Sequence, residues 1–424
     1  MWSLGGLAST VPYVIFSGFL TYFYIDIMKL PLIYYTIGMV VFSIWNAIND
    51  PLFGYYSDKT RTRWGRRVPW IMVFTVPLGI VSWLIWIPPF SEIGLLFAYF
   101  LVIIILFDTF YTIVVLNWTA LFPEMFQTIE ERTKANSLRN IFVMIGTLAG
   151  LASAPLIYST YGWGTLGAVS AILTISTFLL SLVGCQEVYT PKDEAIDFMS
   201  GLRYTLINKS FLTFALFSLM AQFTTDMLTA VVPFYNKYVF GWGENELSII
   251  LFLTILTTII VFYPWANLQS RTTPRTAAIL SCIWGVFSYI LFLFIYPQWP
   301  IVIATLILTG IALGGLIVAP DVLISYVIDE DEIRTGERRE GMYFGVHGFV
   351  IRLSTILQGI IISAVLGYFG YNPNLEVQPE SAILGIRILM GVVPAAAMVI
   401  GILALYLHPI KGEYFHKLKS LKSG

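Results

Sequence analysis

Long apolar runs separated by short polar gaps make up this chain from end to end. A helix needs about 20 mostly apolar residues to cross the hydrocarbon core of a bilayer. Twelve stretches qualify, near 6–28, 32–57, 69–88, 93–120, 139–159, 163–184, 210–239, 247–267, 276–296, 300–327, 342–370 and 382–408. In lipid, every backbone polar group must be satisfied inside the segment, so the predicted architecture is all α-helical. An even number of spans places both termini on one side.

The polar gaps say which side. Twenty of the 24 Lys and Arg fall in every second gap or in the tail. They are Lys59, Arg61, Arg63, Arg66 and Arg67; Arg132, Lys134 and Arg139; Lys192, Arg203 and Lys209; Arg271 and Arg275; Arg334, Arg338 and Arg339; and Lys411, Lys417, Lys419 and Lys422. Only Lys29 and Lys237 fall in the alternate gaps, and Arg352 and Arg387 lie inside spans. Short cytoplasmic loops carry the Lys and Arg excess, so both termini are expected in the cytoplasm.

Composition then narrows the class. The chain is 57% hydrophobic and 12% charged, with a mean hydropathy of +0.79; a soluble domain carries about 25% charged residues. A multi-pass protein of the cell membrane is expected, with no nucleic-acid partner, because the basic loops already have a topological reason. Cys185 and Cys282 lie far apart and predict no disulfide framework. Three histidines, His347, His408 and His416, supply neither a metal cluster nor a nucleophile–base pair, so no enzyme and no cofactor is expected.

The longest polar connection follows span six and divides the chain into a six-helix bundle (1–184), a linker (185–209), a second six-helix bundle (210–408) and a tail (409–424). The basic gap after span two is echoed weakly by Arg271 and Arg275 after span eight. Two pseudo-symmetric six-helix halves fit the major facilitator fold, in which solute binds near mid-membrane between the halves.

Charges left inside the spans mark candidate function, because each costs at least about 2.5–3.5 kcal/mol in hydrocarbon. Span two is the richest. Asn46, Asn49 and Asp50 stand at i, i+3 and i+4 and share one helix face, and Pro51 frees the carbonyl of Ala47. Clustered oxygens suit a hard cation such as Na⁺, and a buried carboxylate suits a proton; either reading makes this a coupling-ion site. At 1.5 Å per residue, Asp50, Thr112 and Arg352 all lie roughly 12–17 Å from their arginine-rich ends. Arg352 is expected to neutralise Asp50 when no cation is bound. Asp108, one turn before Thr112, is a second acid for the cation region or an inter-helix partner. Asp226, with Gln222 one turn away, is the best second-half group for a solute. Tyr13, Asn117 and Trp118 are candidates to line a solute site. Asp321 reads as gating or structural, His347 as a core histidine, and Arg387 as snorkelling or paired.

Several of these residues carry a family likeness. The motif Asn46, Asn49, Asp50, Pro51 and Gly54, followed by Ser57, Asp58, Arg63, Trp64, Gly65, Arg66, Arg67, Pro69 and Trp70, resembles the glycoside–pentoside–hexuronide:cation symporters, the melibiose-permease-like branch of the major facilitators. Tyr22 to Asp26, Leu121 to Glu124, Asp329 to Gly341 and Gly370 to Asn374 extend the match over nearly the whole chain.

The resemblance implies cation-coupled symport of a sugar or glycoside by alternating access, with Asn49, Asp50 and Thr112 as cation ligands and Arg139 as a sugar contact. Arg352 stands where the family has a lysine near the cation. Asn46 stands where the family has an aspartate, which halves the negative charge of span two and makes H⁺ more plausible. Thr10 and Val115 stand where the family has its sugar-gripping carboxylates, which leaves a lysolipid-like or amino-acid-like solute open. Asp58, Arg66 and Arg67 are expected to pair with Arg338, Arg339 and their acidic neighbours in a cytoplasmic gate. The chain is expected to act as a monomer.

Overall fold

The computed structural model describes residues 1–126, 128–183, 185, 205–336 and 339–410, with the side chains of positions 51, 58, 123, 129 and 133 left undescribed. The expected linker and tail fall mostly outside these residues. Among the described residues the fold is helical throughout, apart from one isolated bridge between Thr62 and Gly65. The chain forms two compact units. The first is Met1–Lys192 with Trp242–Phe252 and Asn372–Glu376; the second is Asp193–Gly241, Leu253–Tyr371 and Val377–Gly424.

The first unit holds α1 (Gly5–Tyr22), α2 (Leu32–Lys59), α3 (Val68–Leu84), α4 (Ile93–Met125), α5 (Ile129–Tyr161) and α6 (Trp163–Ser181). In the remaining chain follow α7 (Lys209–Phe234), α8 (Glu244–Ile260), α9 (Phe262–Arg271), α10 (Pro274–Ile290), α11 (Trp299–Thr335), α12 (Glu340–Tyr368), α13 (Glu380–Met390) and α14 (Val392–Leu407). All twelve expected spans have a counterpart. Among the described residues, eleven segments are long and apolar enough to cross a bilayer. The twelfth, α3, has 17 residues, slightly under the usual ~20.

Two expected spans are broken in the middle. Span eight divides at Val261 into α8 and α9, and span twelve divides at Gly391 into α13 and α14. Pro264 and Pro394 each follow the break by three residues. A proline lacks the N–H that would bond back one turn, so the ladder is interrupted there.

Three helices run further than their apolar stretches. The Thr128 side chain accepts from Glu131 N, and Glu131 reaches back to Thr128 N. This capping box starts α5 ten residues before the apolar run. α4 continues to Met125, and α11 continues to Thr335, where Gly336 closes it with a positive φ of 75°. The segment Asp329–Glu332 is therefore helical, where the sequence suggests a loop.

Within the first unit α1 packs on α5 and α6, α3 on α4 and α6, and α2 on α4. The α2–α4 register is parallel and tight. A Cβ at Gly38 would fall 2.3 Å from the Phe100 ring, Trp45 Nε1 donates to Thr109 Oγ1 at 2.9 Å, and Gly54 sits beside Leu116.

In the second unit α7 packs against α11, α12, α13 and α14. Arginines tie the C-terminal ends of α10 and α14. Arg387 Nη1 donates to the carbonyls of Leu293 (2.9 Å) and Ile295 (3.2 Å), just beyond α10. Arg275 Nε donates to Leu405 O at 2.7 Å and Nη2 to Tyr406 O at 3.2 Å. A cation at a helix C-terminus meets orphan carbonyls and the negative end of the dipole.

Next to Arg275, His408 is 1% exposed and its Nδ1 lies 2.8 Å from Thr213 Oγ1. Burial first, and the Arg275 charge second, push its pKa down to about 4, against an upward pull from a backbone bond at Ser210. A free histidine titrates near 6.5, so between these values the unfolded chain binds a proton that the folded chain does not. The contribution is complete above about pH 6.5 and is lost as pH falls towards 4. The apparent Tm is expected to drop between about pH 7.5 and pH 5, and His408→Asn to flatten that slope. Identical slopes for both proteins would contradict the assignment.

Candidate functional site

The first cluster is built by α2 and α4. Asn46, Asn49 and Asp50 do share a face, as their spacing requires. Both asparagines turn their amide nitrogens onto Asp108 of α4: Asn46 Nδ2 donates to Oδ1, and Asn49 Nδ2 donates to Oδ2 at 2.5 Å. Asp108 is 4% exposed and Asn49 is fully buried. Thr112, 5% exposed, stands one turn further along α4 on the same face. Continuing the register set by Trp45–Thr109, Asn46–Asp108 and Gly54–Leu116 brings Asp50 level with Thr112. Asp50 itself is half-buried.

An ionised carboxylate in hydrocarbon is costly, and hydrogen bonds to a charged group contribute about 1.5–3 kcal/mol each. The two amides therefore hold Asp108 where α2 and α4 meet. The matching place in the second unit carries no such group. There α8 and α11 approach through Thr257 and Gly310, and Trp265 Nε1 donates to Ile311 O at 2.8 Å. The acidic chemistry is one-sided.

The second cluster joins α7 and α12. Asp226 accepts from Gln222 Nε2 at 2.8 Å and from Ser354 Oγ at 2.6 Å, and Gln358 Nε2 donates to the Asp226 carbonyl at 3.2 Å. Towards the start of α12, Ser218 Oγ and His347 Nε2 are 2.6 Å apart. Asn208 Nδ2 donates to Tyr343 OH at 2.9 Å. A polar seam thus runs along this helix pair. Arg352 is half-buried on α12, two residues before Ser354; it belongs to the second unit and Asp50 to the first.

Three solute-lining expectations fare differently. Tyr13 is 41% exposed and stacks on Tyr111 with ring centroids 5.4 Å apart. It is the one exposed residue of α1, in a stripe with the half-buried Leu7, Thr10, Val14 and Ser17. Asn117 and Trp118 are both buried. Asn117 is fully buried and donates to Ile113 O at 2.8 Å. Trp118 is 3% exposed, stacks on Trp2 at 4.8 Å, and exchanges indole-to-carbonyl bonds with it. Arg139 is half-buried on α5 and donates to Asn140 Oδ1 at 3.4 Å; its backbone carbonyl lies against Gly6.

The expected gate residues also find local partners. Arg66 Nη2 and Arg67 Nε both meet Glu124 Oε1, at 2.5 and 3.1 Å. In the second unit Arg334 Nη2 and Arg339 Nη1 meet the two oxygens of Asp331, each at 3.3 Å. Each unit therefore closes the end of its fourth span, α4 or α11, with one carboxylate holding two arginines. The side chain of Asp58 and the whole of Arg338 lie outside the described residues. Glu124 and Asp331 carry these clusters. The sequence hints at them only through their place just beyond an apolar run, where helical continuation was not foreseen.

Among the described residues no group of three or more His, Cys, Asp or Glu could hold a metal ion. The chemistry available is hard-oxygen coordination and charge pairing.

Comparison with known proteins follows this geometry. Residues 1–412 match the family described as MFS/sugar transport protein. The chain is 22% identical to the sodium-dependent lysophosphatidylcholine symporter 1-A of Danio rerio, over 97% of this chain and 85% of that one. It is 26% identical to the putative glycoside/cation symporter YagG of Escherichia coli (strain K12), over 88% of this chain and 83% of that one. Among solved structures, a bacterial homolog of the human lysosomal transporter Spinster superposes with a TM-score of 0.70 at 13% identity, covering 98% of this chain and 96% of the other. At that identity the likeness concerns the fold alone: two pseudo-symmetric helical bundles.

Proposed function

The chain belongs to the MFS/sugar transport protein family, and on that footing we propose that it is a cation-coupled symporter of an amphipathic, lysolipid-like solute. It is a multi-pass membrane transporter working by alternating access, and not an enzyme. The coupling ion, Na⁺ or H⁺, loads at Asp50 among Asn46, Asn49 and Thr112. The arginine-rich ends face the cytoplasm, in keeping with the bias of Lys and Arg.

The observation that carries the solute class is the partly exposed, uncharged stripe of α1. It consists of Leu7, Thr10, Tyr13, Val14 and Ser17, and Val115 on α4 is equally uncharged. A sugar needs its many hydroxyls paired by a polar wall, because each polar group left unmet in a dry site is costly. An acyl chain needs apolar and aromatic surface with a few polar anchors. The full-length similarity to a sodium-dependent lysophosphatidylcholine symporter supports the same reading.

A glycoside is the second reading. It is favoured by the family description and by YagG, and by the hydrogen-bond-rich surroundings of Asp226. Proteoliposome counterflow decides between them. Labelled lysophosphatidylcholine is expected to exchange saturably and to ignore excess glycoside. No lysolipid exchange, together with saturable glycoside exchange, would replace the first reading with the second. Loss of uptake on Na⁺ removal, or instead on adding a protonophore, identifies the ion.

A further inference from the structure

We infer that Asp108, supplied by α4, is the second carboxylate of a Na⁺ site whose other ligands are Asp50, the Asn49 Oδ1 and the Thr112 hydroxyl. This deepens the cation-coupled reading above and rests on it for the use made of the ion. The acid that span two lacks at position 46 is provided across the helix interface, by the residue to which Asn46 is hydrogen-bonded. Acid and amide have exchanged sides of the α2–α4 contact. The negative charge of the site is two, not one.

The independent sign of a ligand is the Asn49 side chain. Its nitrogen is committed to Asp108 Oδ2, while its Oδ1 is buried with no hydrogen-bond partner in the protein, on a residue that is 0% exposed. A buried acceptor without a donor is rare and calls for an explanation. This one lies beside a carboxylate, another acceptor, so a protein N–H is not the missing group. A small cation satisfies the amide oxygen and both carboxylates together.

The ligand set also selects the ion. Ca²⁺ takes 6–8 oxygen ligands and Mg²⁺ demands a near-ideal octahedron; softer metals want nitrogen or sulfur. Two carboxylates, one amide oxygen and one hydroxyl, gathered by two helices, suit a monovalent hard cation. Asp108 and Thr112 lie one turn apart on α4, and Asn46 and Asp50 one turn apart on α2. The parallel register sets the two pairs side by side.

Na⁺ binding to the purified full chain tests this without any solute, with radiolabelled sodium and with thermal stabilisation by NaCl against choline chloride at equal ionic strength. Asp108→Asn keeps one acceptor oxygen for the two amides and is expected to weaken Na⁺ binding by roughly 10–100-fold. Its melting temperature in choline is expected to fall, because one amide loses its charged acceptor, so the rise in melting temperature from choline to NaCl is the quantity compared. The double variant Asn46→Asp with Asp108→Asn returns the acid to α2 and is expected to recover most of the affinity. Should Asp108→Asn not fold, Asp108→Glu moves the carboxylate by one methylene and is expected to alter the Na⁺/Li⁺ preference.

Unchanged Na⁺ affinity in Asp108→Asn, or unchanged affinity and preference in Asp108→Glu, overturns the inference in favour of a purely structural clasp. So does a parent protein that binds no Na⁺, even if protonophore-sensitive uptake upholds proton coupling. If Na⁺ binds as described but no solute movement responds to it, the symport reading fails and the site stands.

Discussion

Asp50→Asn is expected to abolish accumulation of solute against a gradient while leaving solute exchange in place. One elementary charge moving down 100 mV releases about 2.3 kcal/mol. At 1.36 kcal/mol per decade, that sustains an inside-to-outside ratio of about 50. A chain that can no longer load its cation cannot use this energy, so the steady-state ratio should fall to about one. Counterflow, which needs no net driving force, should persist because the amide fills the space of the carboxylate. Asp50→Glu keeps the charge and is expected to retain part of the accumulation. An Asp50→Asn protein that concentrates solute as well as its parent would remove Asp50 from the coupling step. That result would shift attention to Asp108 and to Asp226, two other acids within spans.

The second large effect is on stability. Asp331→Ala is expected to destabilise the second unit by about 3–5 kcal/mol, the usual cost of breaking a buried ion pair from one side. Asp331 is 1% exposed, and its partner Arg339 has a side chain only 7% exposed. Removing the carboxylate leaves that guanidinium buried against a lost acceptor. Asp331→Asn, which retains an oxygen, should cost less. Glu124→Ala provides the comparison within the first unit. Its carboxylate is 11% exposed, and Arg66 and Arg67 are 20% and 12% exposed, so water compensates more and the loss should be about 1–3 kcal/mol. Thermal unfolding in detergent reads both. Equal losses, or a negligible loss for Asp331→Ala, would mean that these carboxylates act alike as surface charges.

These two acids differ from Asp50 in how far the sequence foretells them. The Asn46, Asn49 and Asp50 face follows from helical spacing alone, and a charge in an apolar run is conspicuous. Glu124 and Asp331 stand beyond the apolar runs, on turns that look like loops until the helices are seen to continue. The start of α5 was missed for the same reason: hydropathy registers where lipid contact ends, whereas the Thr128–Glu131 capping box registers where the backbone ladder begins. Trp118 shows the opposite case. An aromatic near a binding motif invites a solute role, but its exchange of hydrogen bonds with Trp2 commits it to the core.

By itself the sequence determined that this chain crosses a membrane as two groups of six helices, which end carries the arginines, and that span two gathers Asn46, Asn49 and Asp50 on one face. Those properties are set by residues close together in the chain: apolar length, helical periodicity and the local cost of charge in hydrocarbon. Only the tertiary structure decided which residue meets which across a helix interface. The parallel register of α2 on α4, fixed where Gly38 admits the Phe100 ring, brings Asp108 to Asn46 and Asn49. The pairing of α7 with α12 brings Ser354 and Gln358 to Asp226. Helix register depends on how side chains interlock over many turns, and no single stretch of sequence contains it.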